Sequence, residues 1–97
     1  MKVIWKYEIK VDDTFRLYMP KGSKVLTVQV QRGVPYLWAE VEQPVIEEPP
    51  QKVAEKPDEK IYHCYETGHP IEETNLQYIG TFQLRGGALV FHLYEKI

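Results

Sequence analysis

A period of two in the apolar residues constrains this chain more than any other feature. Val3, Trp5, Tyr7, Ile9 and Val11 alternate with Ile4, Lys6, Glu8 and Lys10. Successive side chains of a strand point to opposite faces, so the odd positions predict one buried face of a first strand. Phe15, Leu17 and Met19 alternate with Arg16 and Tyr18 in a second strand, and Asp12-Asp13 predicts a turn that joins the two as a hairpin. Leu26, Val28 and Val30 share one face of a third strand, which Arg32-Gly33 turns into a fourth over residues 36–41. There Leu37, Ala39 and Val41 line one face while Tyr36, Trp38 and Glu40 line the other, so both faces carry apolar surface.

Order resumes at Lys60, where Tyr62 and Cys64 share one face and Ile61, His63 and Tyr65 the other. Thr67-Gly68-His69-Pro70 ends that strand. Pro70 confines His69 to extended conformations, so the imidazole is presented from a stiff corner. Tyr78, Gly80, Phe82 and Leu84 alternate with Ile79, Thr81 and Gln83, and Arg85-Gly86-Gly87 turns into a last strand over 88–94. In that strand Leu89, Phe91 and Leu93 face one way and Val90, His92 and Tyr94 the other. No stretch repeats with a helical period, although residues 72–76 admit a short helical turn. The prediction is an all-β domain of about seven antiparallel strands in hairpins, arranged as a small barrel or a two-sheet sandwich.

Ninety-seven residues suit one core, so residues 1–97 are read as a single domain. Residues 43–59 hold Pro44, Pro49, Pro50 and Pro57 among five acids and two lysines, a composition that predicts a solvated mobile loop. Outside that segment ten Lys/Arg stand against nine Asp/Glu, a balance that argues against a duplex nucleic-acid partner. No apolar run is long enough to span a bilayer and no signal-like segment opens the chain, so a cytoplasmic, non-membrane protein is expected. The single cysteine, Cys64, gives no intramolecular disulfide.

Ile4-Trp5-Lys6-Tyr7-Glu8, Met19-Pro20-Lys21-Gly22, Val28-Gln29, Leu37-Trp38-Ala39, Thr67-Gly68-His69-Pro70-Ile71, Tyr78-Ile79-Gly80-Thr81-Phe82-Gln83 and Gly86-Gly87-Ala88-Leu89-Val90-Phe91-His92 form a spaced set. In this set the chain resembles a family of small bacteriophage- and prophage-encoded proteins. The resemblance covers most of the chain outside 43–59 and carries no catalytic residues. It implies a setting, the cytoplasm of an infected or lysogenic bacterial host cell, and an accessory role exercised by binding.

The chemistry-bearing residues agree with a non-enzymatic reading. His63, Cys64, His69 and His92 lack metal-site spacing, and His63 and Cys64 point to opposite sides of one strand, so no metal and no cofactor is expected. The only serine, Ser23, sits in a turn without a nucleophile motif. The candidate ligand or partner contacts are Tyr36 and Trp38 for stacking, Thr67 and His69 at the stiff corner, Arg85 beside two glycines for an anion, and His92. His69 is otherwise a turn residue capping backbone groups near Thr67 and Gly68, and His92 a satisfied interior or interface histidine. These residues favour a small nucleotide-like ligand, such as a host defence signal to be sequestered. The alternatives are an inhibitor or adaptor that binds a host protein, and a structural phage protein. Surface left by Tyr36, Trp38, Val90 and Tyr94 predicts a homo-oligomer.

Overall fold

The computed structural model describes residues 1–43 and 56–97. Most of the segment expected to be a loop, residues 44–55, lies outside the described residues. Seven strands follow in order: β1 Lys2–Glu8, β2 Thr14–Met19, β3 Lys24–Gln31, β4 Val34–Glu42, β5 Asp58–Glu66, β6 Leu76–Leu84 and β7 Leu89–Lys96. A 3-10 turn, Arg85–Gly87, joins the last two. Strand β5 starts at Asp58, two positions before the break expected from composition, and residues 72–76 form no helical turn.

The strands make two antiparallel sheets. Sheet A has the order β1-β4-β3 and sheet B the order β2-β5-β7-β6. They do not close into a barrel. The arrangement fits a two-sheet sandwich whose sheets meet chiefly along β3 and β6. Ile9, Val28, Leu37, Ala39 and Val41 from the sheet A side pack with Met19, Tyr62, Cys64, Phe82 and Leu93 from sheet B in one buried cluster.

The β3–β4 and β6–β7 hairpins form as the sequence predicts. The expected β1–β2 hairpin does not: β1 pairs with β4, and β2 pairs with β5. The reason lies in parity. A two-residue turn at Asp12-Asp13 would set Ile9 opposite Arg16, placing the apolar face of one strand beside the polar face of the other. Instead Asp12 N–H closes onto Lys10 C=O at 2.8 Å and the chain crosses to the other sheet, where Cys64 N–H meets Asp13 C=O at 3.1 Å. Both odd-numbered faces then point inward.

A register shift between Val25 and Thr27 makes a second correction. It extrudes Leu26, expected on the buried face of β3, and brings Val25 inward instead. A matching shift between Tyr78 and Gly80 leaves Gly80 on the inner face of β6, directly against Val28.

Candidate functional site

The outer face of sheet B carries two rows of side chains set by strand register. Thr14, His63, Tyr94 and Tyr78 lie across β2, β5, β7 and β6 in one row. Tyr65, His92 and Thr81 form the next. Non-local pairing makes this surface, since β5 reaches its neighbours β2 and β7 from opposite ends of the chain.

The rings are packed and the polar groups interlocked. His63 stacks on Tyr65 with centroids 6.3 Å apart, Tyr65 meets Tyr94 edge-on at 5.8 Å, and Tyr94 meets Tyr78 at 5.4 Å. Such edge-to-face contacts hold aromatic side chains in fixed orientations. His92 binds Thr67 Oγ1 through Nε2 at 2.7 Å and Thr81 Oγ1 through Nδ1 at 2.8 Å. Thr81 in turn shares a hydrogen bond with the Tyr78 hydroxyl. A neutral imidazole donates from one nitrogen and accepts at the other, so the two threonines match both its needs.

Beside this face lies a cavity of about 430 Å³, lined by Asp13, Thr14, His63, Cys64, Tyr65, His69, Pro70, Glu72 and Glu73. Among the described residues no lysine or arginine lines it, so three carboxylates set its charge. His63 is only 8% exposed. Its Nδ1 bonds Thr14 Oγ1 at 3.0 Å, while Nε2 is buried with no partner among the described residues. Burial raises the Tyr65 phenol above its ordinary range, and the charges of Glu73 and Glu72 add to the effect. Cys64 borders the cavity from the core side. Burial pushes its thiol up to about 12, with Asp12 and Asp13 contributing, so it stays a protonated, poorly nucleophilic thiol. Among the described residues no three His, Cys, Asp or Glu side chains stand together as metal ligands.

The residues anticipated from sequence fall into four places. Thr67 and His92 meet directly. His69 lines the cavity, but its ring turns to the Glu66 carboxylate at 3.8 Å, and only its backbone N–H closes the turn, onto Glu66 C=O at 3.0 Å. The expected capping by the His69 ring of backbone groups near Thr67 and Gly68 is therefore corrected. Tyr36 and Trp38 lie on the outer face of sheet A, where Lys6 Nζ sits 4.5 Å over the Tyr36 ring and 5.8 Å from that of Trp38. The two rings thus share one cation–π contact on that face. Arg85 is exposed in the β6–β7 turn at φ 52, and among the described residues no hydrogen bond or ion pair ties it to the other candidates. His63, Tyr65, Tyr78, Thr81 and Tyr94 were missed as site residues. For His63, Tyr65, Thr81 and Tyr94 the outward alternation was visible, but the register that assembles them was not. Tyr78, expected on the same face as Phe82, is turned outward by the shift between Tyr78 and Gly80.

The fold and this surface define a class: an all-β two-sheet domain with a tyrosine- and histidine-rich outer face and an acidic cavity beside it. Within that class the chain belongs to the family described as Domain of unknown function (DUF7352), whose model matches residues 1–97. No curated protein and no solved structure matches it.

Proposed function

We propose that the chain is a non-enzymatic accessory protein that binds a partner protein on the outer face of sheet B, seating a basic side chain of that partner in the acidic cavity. The observation that carries this reading is the junction at Tyr65, where the locked rows of tyrosine, histidine and threonine run into a cavity ringed by Asp13, Glu72 and Glu73. Rigid aromatic anchors with a polar surround are the usual makings of a protein-binding hot spot. A lysine or arginine head group gains twice there, from the carboxylates and from the ring faces. A phosphate in the same place would meet three like charges. The resemblance to phage-encoded proteins supplies the setting of the proposal, a host polypeptide in the bacterial cytoplasm.

The nucleotide-like ligand retains one anchor, Arg85, exposed beside Gly86 and Gly87, both of which have positive φ. The two readings separate experimentally. Tagged chain is expected to retain a host polypeptide from bacterial lysate, with retention falling as salt rises. The polypeptide should be lost with Tyr65→Ala and with the double change Glu72→Gln, Glu73→Gln. Calorimetric heat with ADP-ribose or a cyclic dinucleotide that disappears in Arg85→Ala, with no host polypeptide retained, would overturn the protein-partner reading.

A further inference from the structure

Sheet A ends at β1, and among the described residues no strand pairs with its outer edge. Two hydrogen bonds show which backbone groups the β1–β4 ladder consumes. Gln43 N–H donates to Met1 C=O at 2.8 Å, and Ile9 N–H donates to Pro35 C=O at 3.0 Å. Bonded pairs alternate along an antiparallel ladder. Val3, Trp5 and Tyr7 therefore turn their N–H and C=O groups toward β4, while Lys2, Ile4, Lys6 and Glu8 turn theirs outward.

Exposed edges are ordinarily guarded by proline, bulges or projecting lysines. β1 has no proline and no bulge, and its lysines fold back over their own sheet. Lys2 Nζ lies 3.4 Å from Glu40, and Lys6 Nζ reaches across β4 to Gln31 Oε1 at 2.8 Å. Ile4 remains 61% exposed, and Trp5, although on the inner face, 41%.

We propose that β1 pairs antiparallel with β1 of a second copy about a two-fold axis at Trp5, making one six-stranded sheet from two sheets A. The register follows from charge. The outward backbone groups belong to even positions, and a symmetric pairing that overlaps at least five residues of Lys2–Glu8 places its axis at Ile4, Trp5 or Lys6. An axis at Ile4 sets Lys2 against Lys6 of the second copy, twice. An axis at Lys6 sets Lys6 against itself and Lys2 against Lys10. Only the axis at Trp5 sets Lys2 against Glu8, twice, with Ile4 beside the Lys6 stem, Val3 against Tyr7, and Trp5 against Trp5. That last contact is a non-hydrogen-bonded pair, in which facing side chains approach most closely and aromatic pairs stabilise most. Lys2 is 71% exposed at its side chain, so it can meet Glu8 of the second copy while it keeps Glu40.

Sedimentation of the full chain tests this. The expected result is a monomer–dimer equilibrium that weakens with salt. Glu8→Lys should weaken it about tenfold by making two attractive cross-strand pairs repulsive, and adding Lys2→Glu to that variant should restore it. Trp5→Cys should give a disulfide-linked dimer on mild air oxidation, since facing Cα atoms in such a pair stand about 4.5 Å apart, whereas Ile4→Cys and Lys6→Cys should not. A strict monomer at high micromolar concentration, a dimer indifferent to Glu8→Lys, or stronger cross-linking through Ile4→Cys than through Trp5→Cys would overturn the proposal.

Discussion

Two buried side chains of β5 show how a residue's surroundings fix its protonation. Cys64 and Tyr62 are 6% and 0% exposed. Burial raises both pKa values, that of Cys64 from 9.0 to about 12, while for Tyr62 the charge of Glu95 and the nearby Tyr7 add to the rise. The folded chain keeps these protons at a pH where the unfolded chain sheds them. Their stabilisation is therefore complete below about pH 9 and declines as pH rises, at up to about 1.4 kcal/mol per pH unit for each group. Urea unfolding between pH 7 and 11 should show this decline, and in Cys64→Ala its onset should move up to the tyrosine range. Flat stability across that range would show that Cys64 ionises in place. The Tyr62 hydroxyl has no protein partner among the described residues. Tyr62→Phe should then change stability by less than about 1 kcal/mol, because only an unsatisfied polar group is removed. Tyr62→Ala should cost about 3–5 kcal/mol through the void it leaves beside Phe15, whose ring lies 5.3 Å away. A larger loss for the phenylalanine variant would reveal a hydrogen bond made by the hydroxyl.

At the scale of elements, the parity of the buried positions is the most informative signal in the sequence. Near the turn the buried residue of β3, Val28, holds an even position and those of β4 hold odd ones, so a two-residue turn at Arg32-Gly33 brings Val28 opposite Leu37. The same holds for β6 and β7, where Phe82 faces Phe91. The same parity rejects a two-residue hairpin at Asp12-Asp13, since both strands bury odd positions. The pairings β1–β4, β2–β5 and β5–β7 join distant segments with compatible parity, and parity alone cannot choose among such partners. The candidate site was obscure for this reason. Thr67 and His92 were legible one by one, but the surface they share with His63, Tyr65, Tyr78, Thr81 and Tyr94 exists only after β5, β6 and β7 have been placed side by side. Arg32 and Gly33 both have positive φ, at 53 and 78, as a tight hairpin turn matching strand twist requires. A side chain at such a φ is strained, and asparagine tolerates it better than arginine. Arg32→Asn should raise the unfolding free energy by about 0.5–1 kcal/mol without altering the denaturant slope, and an unchanged or lower midpoint would contradict the turn geometry.

The whole molecule is less compact than its length allows. Its Cα radius of gyration is 15.6 Å, against about 12.5 Å expected for a globular chain of this size. Two sheets that overlap only partly have a limited seam, so cooperative unfolding depends on the few residues where they touch. The tightest of these is Gly80, where an added Cβ would stand 2.7 Å from Val28 Cγ1. Real side-chain carbons do not approach so closely, and Val28, 4% exposed and stiff at χ1, has little freedom to withdraw. Glycine is needed here for close approach rather than for a special backbone angle, because only its missing side chain lets β6 lie against β3. Gly80→Ala should therefore cost about 1–3 kcal/mol by overpacking. Val28→Ala should also destabilise, through lost burial, but the two changes together should cost less than their sum, because the alanine methyl occupies part of the space the valine vacates. The cycle is read from chemical unfolding of the four proteins. Strict additivity, or a harmless Gly80→Ala, would mean that the sheets slide apart at little cost and that the seam does not couple sheet B to sheet A.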